Sequence, residues 1–204
     1  MVLFPVVYPR QNRVEFYNLV ALTRPLPEET GVLYTPIPFG GLERRALIHI
    51  DKRLMEDGNS APAVVSAIAV ANLSSNIADD YYVHTDFPGQ HLGGASFGLA
   101  LLVELLYPGI YHNVAFTGFV SPLSPDSWTI GIHDVNHVEE KVIAALENGI
   151  LIVAPRDQCL IRFNPISGRS FFSPPPPYHH SRNTVAVAAT FLEAIALANM
   201  LLAV

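Results

Sequence analysis

The sequence predicts an α+β domain, with mixed β-sheets packed against a few α-helices. Short runs of branched and aromatic residues recur between proline and glycine breaks, as strands do. Apolar helical segments between them stop at glycine signals. A helix, an Asn148-Gly149 stop and the apolar run 150–154 then follow one another in the order of a βα-type unit. With 204 residues, the chain suits one domain and can bury a real core.

Residues 14–22 and 31–37 read as strands, separated by Pro25, Pro27 and Gly31. After Gly40-Gly41, residues 45–51 alternate like a half-buried strand. Asp57-Gly58-Asn59-Ser60 turns into a helix capped by Ser60 and reaching about Ile77, with Val64, Ile68 and Ala71 on one face. Residues 80–86 form the next strand. Pro88-Gly89 then opens a loop into Gly93-Gly94-Ala95-Ser96-Phe97-Gly98, a small-residue turn that enters an apolar helix running to about Leu106.

Pro108-Gly109 stops that helix, and residues 114–120 return as a single strand. Pro122 and Pro125 make a hairpin tip whose second arm is 128–132. A helix over 138–146 precedes the buried strand 150–154. Four consecutive prolines between Ser173 and Tyr178 predict a surface polyproline II connector, with recognition by a proline-binding module as a minor reading. The last helix is expected from Asn183 to about Leu202. The predicted organisation is a main domain over 1–172, a connector over 173–182, and a C-terminal helix over 183–204 packed on the same domain.

Composition excludes several functions. Only 15% of residues are charged and the net charge is −6, too few cations for a nucleic-acid partner. No Gly-x4-Gly-Lys-[Ser/Thr] pattern occurs, so no nucleotide-hydrolysing machinery of that kind is expected, and no cofactor is implied. Cys159 is the single cysteine, which rules out an intramolecular disulfide and fits a core position in a reducing compartment. Met1 to Tyr8 lacks the basic and apolar regions of a secretory signal, so a cytoplasmic location is expected. Residues 185–204 carry one charge, Glu193, and are long enough to cross a bilayer. Thr190, Glu193, Asn199 and the lack of a basic flank favour a buried helix over a membrane anchor. The oligomeric state is left open.

The residues with chemistry to offer are Ser96 and Lys141. A serine hydroxyl needs a base within reach, and a lysine serves when burial keeps it neutral. Lys141 is followed by Val142-Ile143-Ala144-Ala145, so its stem lies near an apolar face. The glycines ahead of Ser96 permit close backbone approach, with the N–H groups of Ala95 and Ser96 as oxyanion donors. Gly93, Gly94, His91 and Phe97 are the expected substrate contacts. Plainer readings stand beside these: Ser96 as a helix cap, and Lys141 after two glutamates as a solvated side chain.

Competing sites rank lower. His133 and His137 could share a metal with Glu140 or Asp134, but ordinary loop histidines explain them better and no metal is assigned. His84 or His91 could serve Ser96 as a base, with Asp86 orienting it. His179-His180 beside Tyr178 belongs to the connector.

From Tyr82 to Gly98, through Val114-Ala115-Phe116-Thr117-Gly118, to Glu140-Lys141-Val142-Ile143-Ala144-Ala145 and Val153-Ala154-Pro155, the chain resembles the proteolytic domain of the Lon family. The resemblance covers about residues 80–157. In that family a strand and loop lead to Asp-Gly-Pro-Ser-Ala-Gly, a later strand reads Val-Ala-Met-Thr-Gly, and a Lys-Glu-Lys-Leu-Leu-Ala-Ala helix carries the catalytic lysine. The resemblance implies a Lon-protease-like fold with Ser96 as nucleophile, Lys141 as base and Thr117 as the residue holding the lysine. Gly93 stands at the family's aspartate, Phe97 at its usual alanine, and Asn136-His137 at its Gly-Gly pair. Without an ATPase module, the layout is similar to the stand-alone Ser-Lys proteases of birnaviruses, which release themselves from a polyprotein. That likeness implies an ATP-independent endopeptidase acting on peptide or protein, in a host cytoplasm if the chain is viral. The alternative is a catalytically silent Lon-like domain used for assembly.

Overall fold

The computed structural model describes residues 1–23, 32–34, 48–54, 60–74, 81–89, 92–124, 129–156, 164–165, 171–173 and 185–203. His91, Cys159, the prolines at 174–177 and His179-His180 lie outside them. The first strands are β1 (Val2–Tyr8), β2 (Arg13–Leu22), β3 (Val32–Tyr34), β4 (Ile48–Ile50) and β5 (Tyr81–Thr85). After these come β6 (Val114–Phe116), β7 (Phe119–Pro122), β8 (Ile130–His133), β9 (Leu151–Pro155), β10 (Asn164–Pro165), β11 (Phe171–Ser173) and β12 (Val185–Ala188). The helices are α1 (Ala61–Ser74), α2 (Gly98–Leu106), α3 (Val138–Glu147) and α4 (Phe191–Leu202).

This is a mixed α+β architecture. Among the described residues, ten strands share one sheet in the order β10-β11-β12-β9-β6-β1-β2-β5-β4-β3, and β7 and β8 form a separate hairpin. The middle of the sheet, β12-β9-β6-β1, is parallel, while β1–β2 and β2–β5 on one side and β11–β12 on the other are antiparallel. Side chains alternate across the pleat and feed two cores. Phe4, Val114, Phe116, Val153 and Ala186 pack on one face with α1, α2 and α4. Ala115, Ile152, Ala154, Val185 and Val187 pack on the other with Val138, Val142 and Ala145 of α3.

The helices explain themselves locally. All residues from Gly98 to Leu105 of α2 are buried, as expected of a helix apolar all round. Its one charge, Glu104, is neutralised where it is buried: the Met1 amine lies 2.8 Å away and the Ala21 N–H donates to it at 3.1 Å. Helix α1 begins at Ala61, after Ser60, whose carbonyl accepts from Ala63 and Val64. Helix α4 starts where the Thr190 hydroxyl accepts the Glu193 N–H at 3.3 Å.

Three expectations need correction. Residues 114–120 are not one strand: the chain leaves the large sheet after Phe116 and enters the hairpin at Phe119. Gly118, at φ 151°, makes that break, and a Cβ there would sit 2.6 Å from Ile132 Cγ2. The C-terminal stretch is not one helix from Asn183. Val185–Ala188 is a strand laddered to β9, because alternate residues serve both cores, and the helix starts only after Thr190. No helix among the described residues is long and apolar enough to cross a membrane. Finally, Val2–Tyr8, which carries no strand signal that outweighs Pro5, is a strand within the sheet. Pro5 is tolerated there because β6 pairs with β1 only at Leu3, leaving the rest of β1 laddered, among the described residues, to β2 alone.

Candidate active site

Ser96 lies in the turn two residues ahead of α2, half-buried, and does not cap the helix: the residue at the cap position is Phe97, with no side-chain cap bond. Two backbone bonds fix the turn. Gly118 N–H donates to the Ser96 carbonyl, and Leu99 N–H donates to the Gly118 carbonyl, each at 2.9 Å. Thr117 is pinned in turn by its own N–H to the Val153 carbonyl at 3.1 Å. The break after β6 thus registers Thr117 against both the serine turn and β9.

Lys141 arrives from the other face of the sheet. Val138, Lys141, Val142 and Ala145 are buried on one stripe of α3, at the spacing of an amphipathic helix. The lysine is therefore 3% exposed, not a solvated neighbour of Glu139 and Glu140. Its Nζ donates to the Thr117 hydroxyl at 3.5 Å, and Thr117 itself is wholly buried. Desolvation brings the amine down from 10.5 to about 8, against a smaller upward pull from Glu140.

Ser96 and Lys141 line one cavity of about 760 Å³. Gly93, Gly94 and Ala95 line it too, as expected of substrate contacts, and Gly94 at φ 92° holds a conformation that favours glycine. Phe97 belongs to its back wall: the side chain is 1% exposed, with its ring centroid 6.2 Å from that of Phe4. Among the described residues, the N–H groups of Ala95 and Ser96 make no hydrogen bond. The lysine's hydrogen-bond partner among them is Thr117 and not Ser96.

Among the described residues, which exclude His91, the alternatives are not assembled. Asp86, the proposed orienter for a histidine base, gives its carboxylate to the backbone and side-chain nitrogens of Asn18, at 2.7 and 2.6 Å. His84 is not among the residues lining the Ser96 cavity. Burial lowers its pKa against the pull of Asp51. His133 meets Ser121 Oγ at 2.7 Å, whereas His137 meets Glu140 Oε1 at 3.2 Å, so the two histidines serve different partners.

Other parts of the site had no place in the expectation. Val6, Val7 and Tyr8 of β1 form one wall, and Asp134, Asn136 and His137 form a polar rim ahead of α3. His137 is held at φ 61°, where a side chain costs energy. The signal for the rim was the Asn136-His137 pair, which the resemblance to the Lon family sets against a Gly-Gly pair; the wall had none. No protein-family model and no curated protein matches the sequence.

Proposed function

We propose that the chain is an ATP-independent serine endopeptidase with a Lon-protease-like fold, using Ser96 and Lys141 as a dyad and Thr117 to orient the lysine. One observation carries the reading: a lysine buried to 3% exposure, bonded to a buried threonine, opens onto the same cavity as a half-buried serine in a glycine turn. A structural lysine gains nothing from that burial, since its charge is expensive there. A base gains a great deal. With its pKa at about 8, roughly a tenth of Lys141 is neutral at pH 7 and half at pH 8.

In this reading the Ser96 hydroxyl attacks the scissile carbonyl carbon and passes its proton to neutral Lys141 Nζ. The tetrahedral oxyanion is held by the N–H groups of Ala95 and Ser96. As the C–N bond breaks, the ammonium returns the proton to the leaving amine, and an ester remains on Ser96. Water, deprotonated by the neutral lysine, then hydrolyses that ester. Substrate adds as a strand beside β1, whose stretch past Leu3 is laddered among the described residues only to β2 and lines the cavity. A polyprotein, or chain flanking the domain itself, is the substrate class that the birnavirus likeness suggests.

The test is cleavage of a peptide mixture mapped by mass spectrometry, with an acylating serine probe in parallel. Cleavage and Ser96 labelling are expected in the wild type, rising with pH through about 8. Both should vanish in Ser96→Ala, and cleavage in Lys141→Ala. A wild type that neither cleaves nor labels would remove the dyad and leave the silent, assembly-type domain.

A further inference from the structure

The connection from β5 to the serine turn is held by a residue far from it in sequence. Arg53, in a short turn after β4, donates from one guanidinium nitrogen to the Phe87 carbonyl and from another to the Thr85 carbonyl, each at 2.6 Å. Its own carbonyl accepts the N–H of Leu92 at 3.0 Å. The two ends of the connection therefore converge on one side chain and its backbone. Asp51 aims the fork: Arg53 Nε lies 2.9 and 3.1 Å from its two oxygens, and a terminal nitrogen also bonds Oδ2. Asp51 is anchored to β5 by its N–H to the Val83 carbonyl at 2.9 Å.

What this connection holds is the cavity wall. Phe87 and Leu92 line the cavity together with Gly93, Gly94 and Ser96. Phe87 is further braced edge-on against Tyr17, with ring centroids 5.2 Å apart. Downstream, Ser96 is tied at its carbonyl to Gly118. Between those ties stand two glycines, which fix nothing by themselves.

We propose that Arg53 is a positioning residue for Ser96, fixing the approach of the serine turn to the cavity by holding both ends of the β5 connection. The proposal rests on Ser96 being the nucleophile. A planar fork is required, because one group must reach two carbonyls and a carboxylate at once, and an ammonium lacks that geometry. Arg53 touches no reacting atom and leaves Lys141 alone, so it should alter the rate without altering the pH at which the rate rises.

The test compares wild type, Arg53→Lys and Arg53→Ala by amide hydrogen exchange and by Ser96 acylation across pH. Arg53→Lys keeps a charge beside Asp51, which protects the fold if Arg53→Ala fails to express. In Arg53→Lys, exchange at Phe87 and Leu92, the amides of the connection bonded to Thr85 Oγ1 and to the Arg53 carbonyl, should accelerate tenfold or more with β6 and β9 unchanged. Acylation should slow at least tenfold with its pH midpoint unmoved. Where Arg53→Ala folds, added methylguanidinium should recover part of the rate. Unchanged exchange at Phe87 and Leu92 would overturn the proposal, whether or not the protein has serine reactivity. Faster exchange with undiminished acylation, or a displaced pH midpoint, would overturn the positioning role. A wild type that does not acylate overturns the peptidase reading, and the exchange result alone then decides whether Arg53 holds the turn.

Discussion

Ser96 and Lys141 reach the cavity from opposite faces of the sheet and are held there by different forces. Helix α3 places the lysine by packing, with Val138, Val142 and Ala145 in the core formed by Ala115, Ile152 and Val187. The serine turn is placed by hydrogen bonds, through Gly118 on one side and the Arg53-held connection on the other. Packing tolerates conservative apolar exchange, whereas a backbone lacing depends on geometry. The lysine arm should therefore accept apolar substitution without unfolding, and the serine arm should not accept a change of backbone.

Lys141→Met tests the first half and carries the largest expected effect. Methionine fills a similar volume, so the site should fold while peptide cleavage falls by about 10³-fold or more. Stability should move the other way. Lys141 titrates near 8 when folded and near 10.5 when unfolded, so between these values the unfolded chain binds more protons and wild-type stability rises with pH. Below pH 8 the buried ammonium destabilises the fold by up to about 3 kcal/mol. The variant should thus be more stable than wild type at pH 7, with the advantage shrinking toward pH 10. Denaturant midpoints at the two pH values check this, and a destabilised variant at pH 7 would contradict the buried charge.

Gly118→Ala tests the second half. The new methyl would meet Ile132 Cγ2 at 2.6 Å, and φ of 151° is hostile to any side chain. A loss of about 2–4 kcal/mol is expected from strain and overpacking together. Introduced into an Ile132→Ala background, where the contact is gone, Gly118→Ala should cost only the dihedral part. No further loss on adding Gly118→Ala to Ile132→Ala would show that the backbone at Gly118 is not what holds the serine turn.

Thr117→Val probes the point where the two arms meet. It keeps the shape and removes the acceptor of the Lys141 amine, so about 1–3 kcal/mol should be lost at pH 7, where the amine is mostly charged. Losing an acceptor also disfavours the ammonium further. The midpoint of the pH–rate curve should therefore fall below about 8 while the plateau drops on the order of tenfold. An unchanged midpoint would mean that the 3.5 Å contact does not bear on the lysine.

The two arms also differed in how far they could be read from the chain. Both helices were legible, because apolar spacing and the stops at Gly109 and Asn148-Gly149 are local signals. Burial of Lys141 was legible in principle, since it falls between Val138, Val142 and Ala145 on one stripe. The order of Ser96, Thr117 and Lys141 came from resemblance, and the structure brings all three to one region. What escaped was non-local. The break at Gly118 was hidden inside a run that is strand-like on both sides. β1 carries Pro5, which argues against a strand within a sheet until its neighbour β6 is seen to end. Arg53 lies in a charged stretch with nothing in its spacing to connect it to the serine turn. Its role depends on β4 lying beside β5, a pairing that no local pattern encodes.

Thr190→Ala carries the smallest expected effect and separates stability from the site. It removes the N-cap bond of α4 and should lower stability by about 1 kcal/mol. Helix α4 contributes Phe191, Ala194 and Ala198 to the same core as α2, on the serine side of the sheet. If hydrogen bonds alone place Ser96, loosening that core leaves its reactivity intact, and acylation per folded molecule should match wild type at 25 °C. If acylation falls by more than the unfolded fraction explains, packing beneath α2 also sets the serine, and the two arms are less different than their contacts imply.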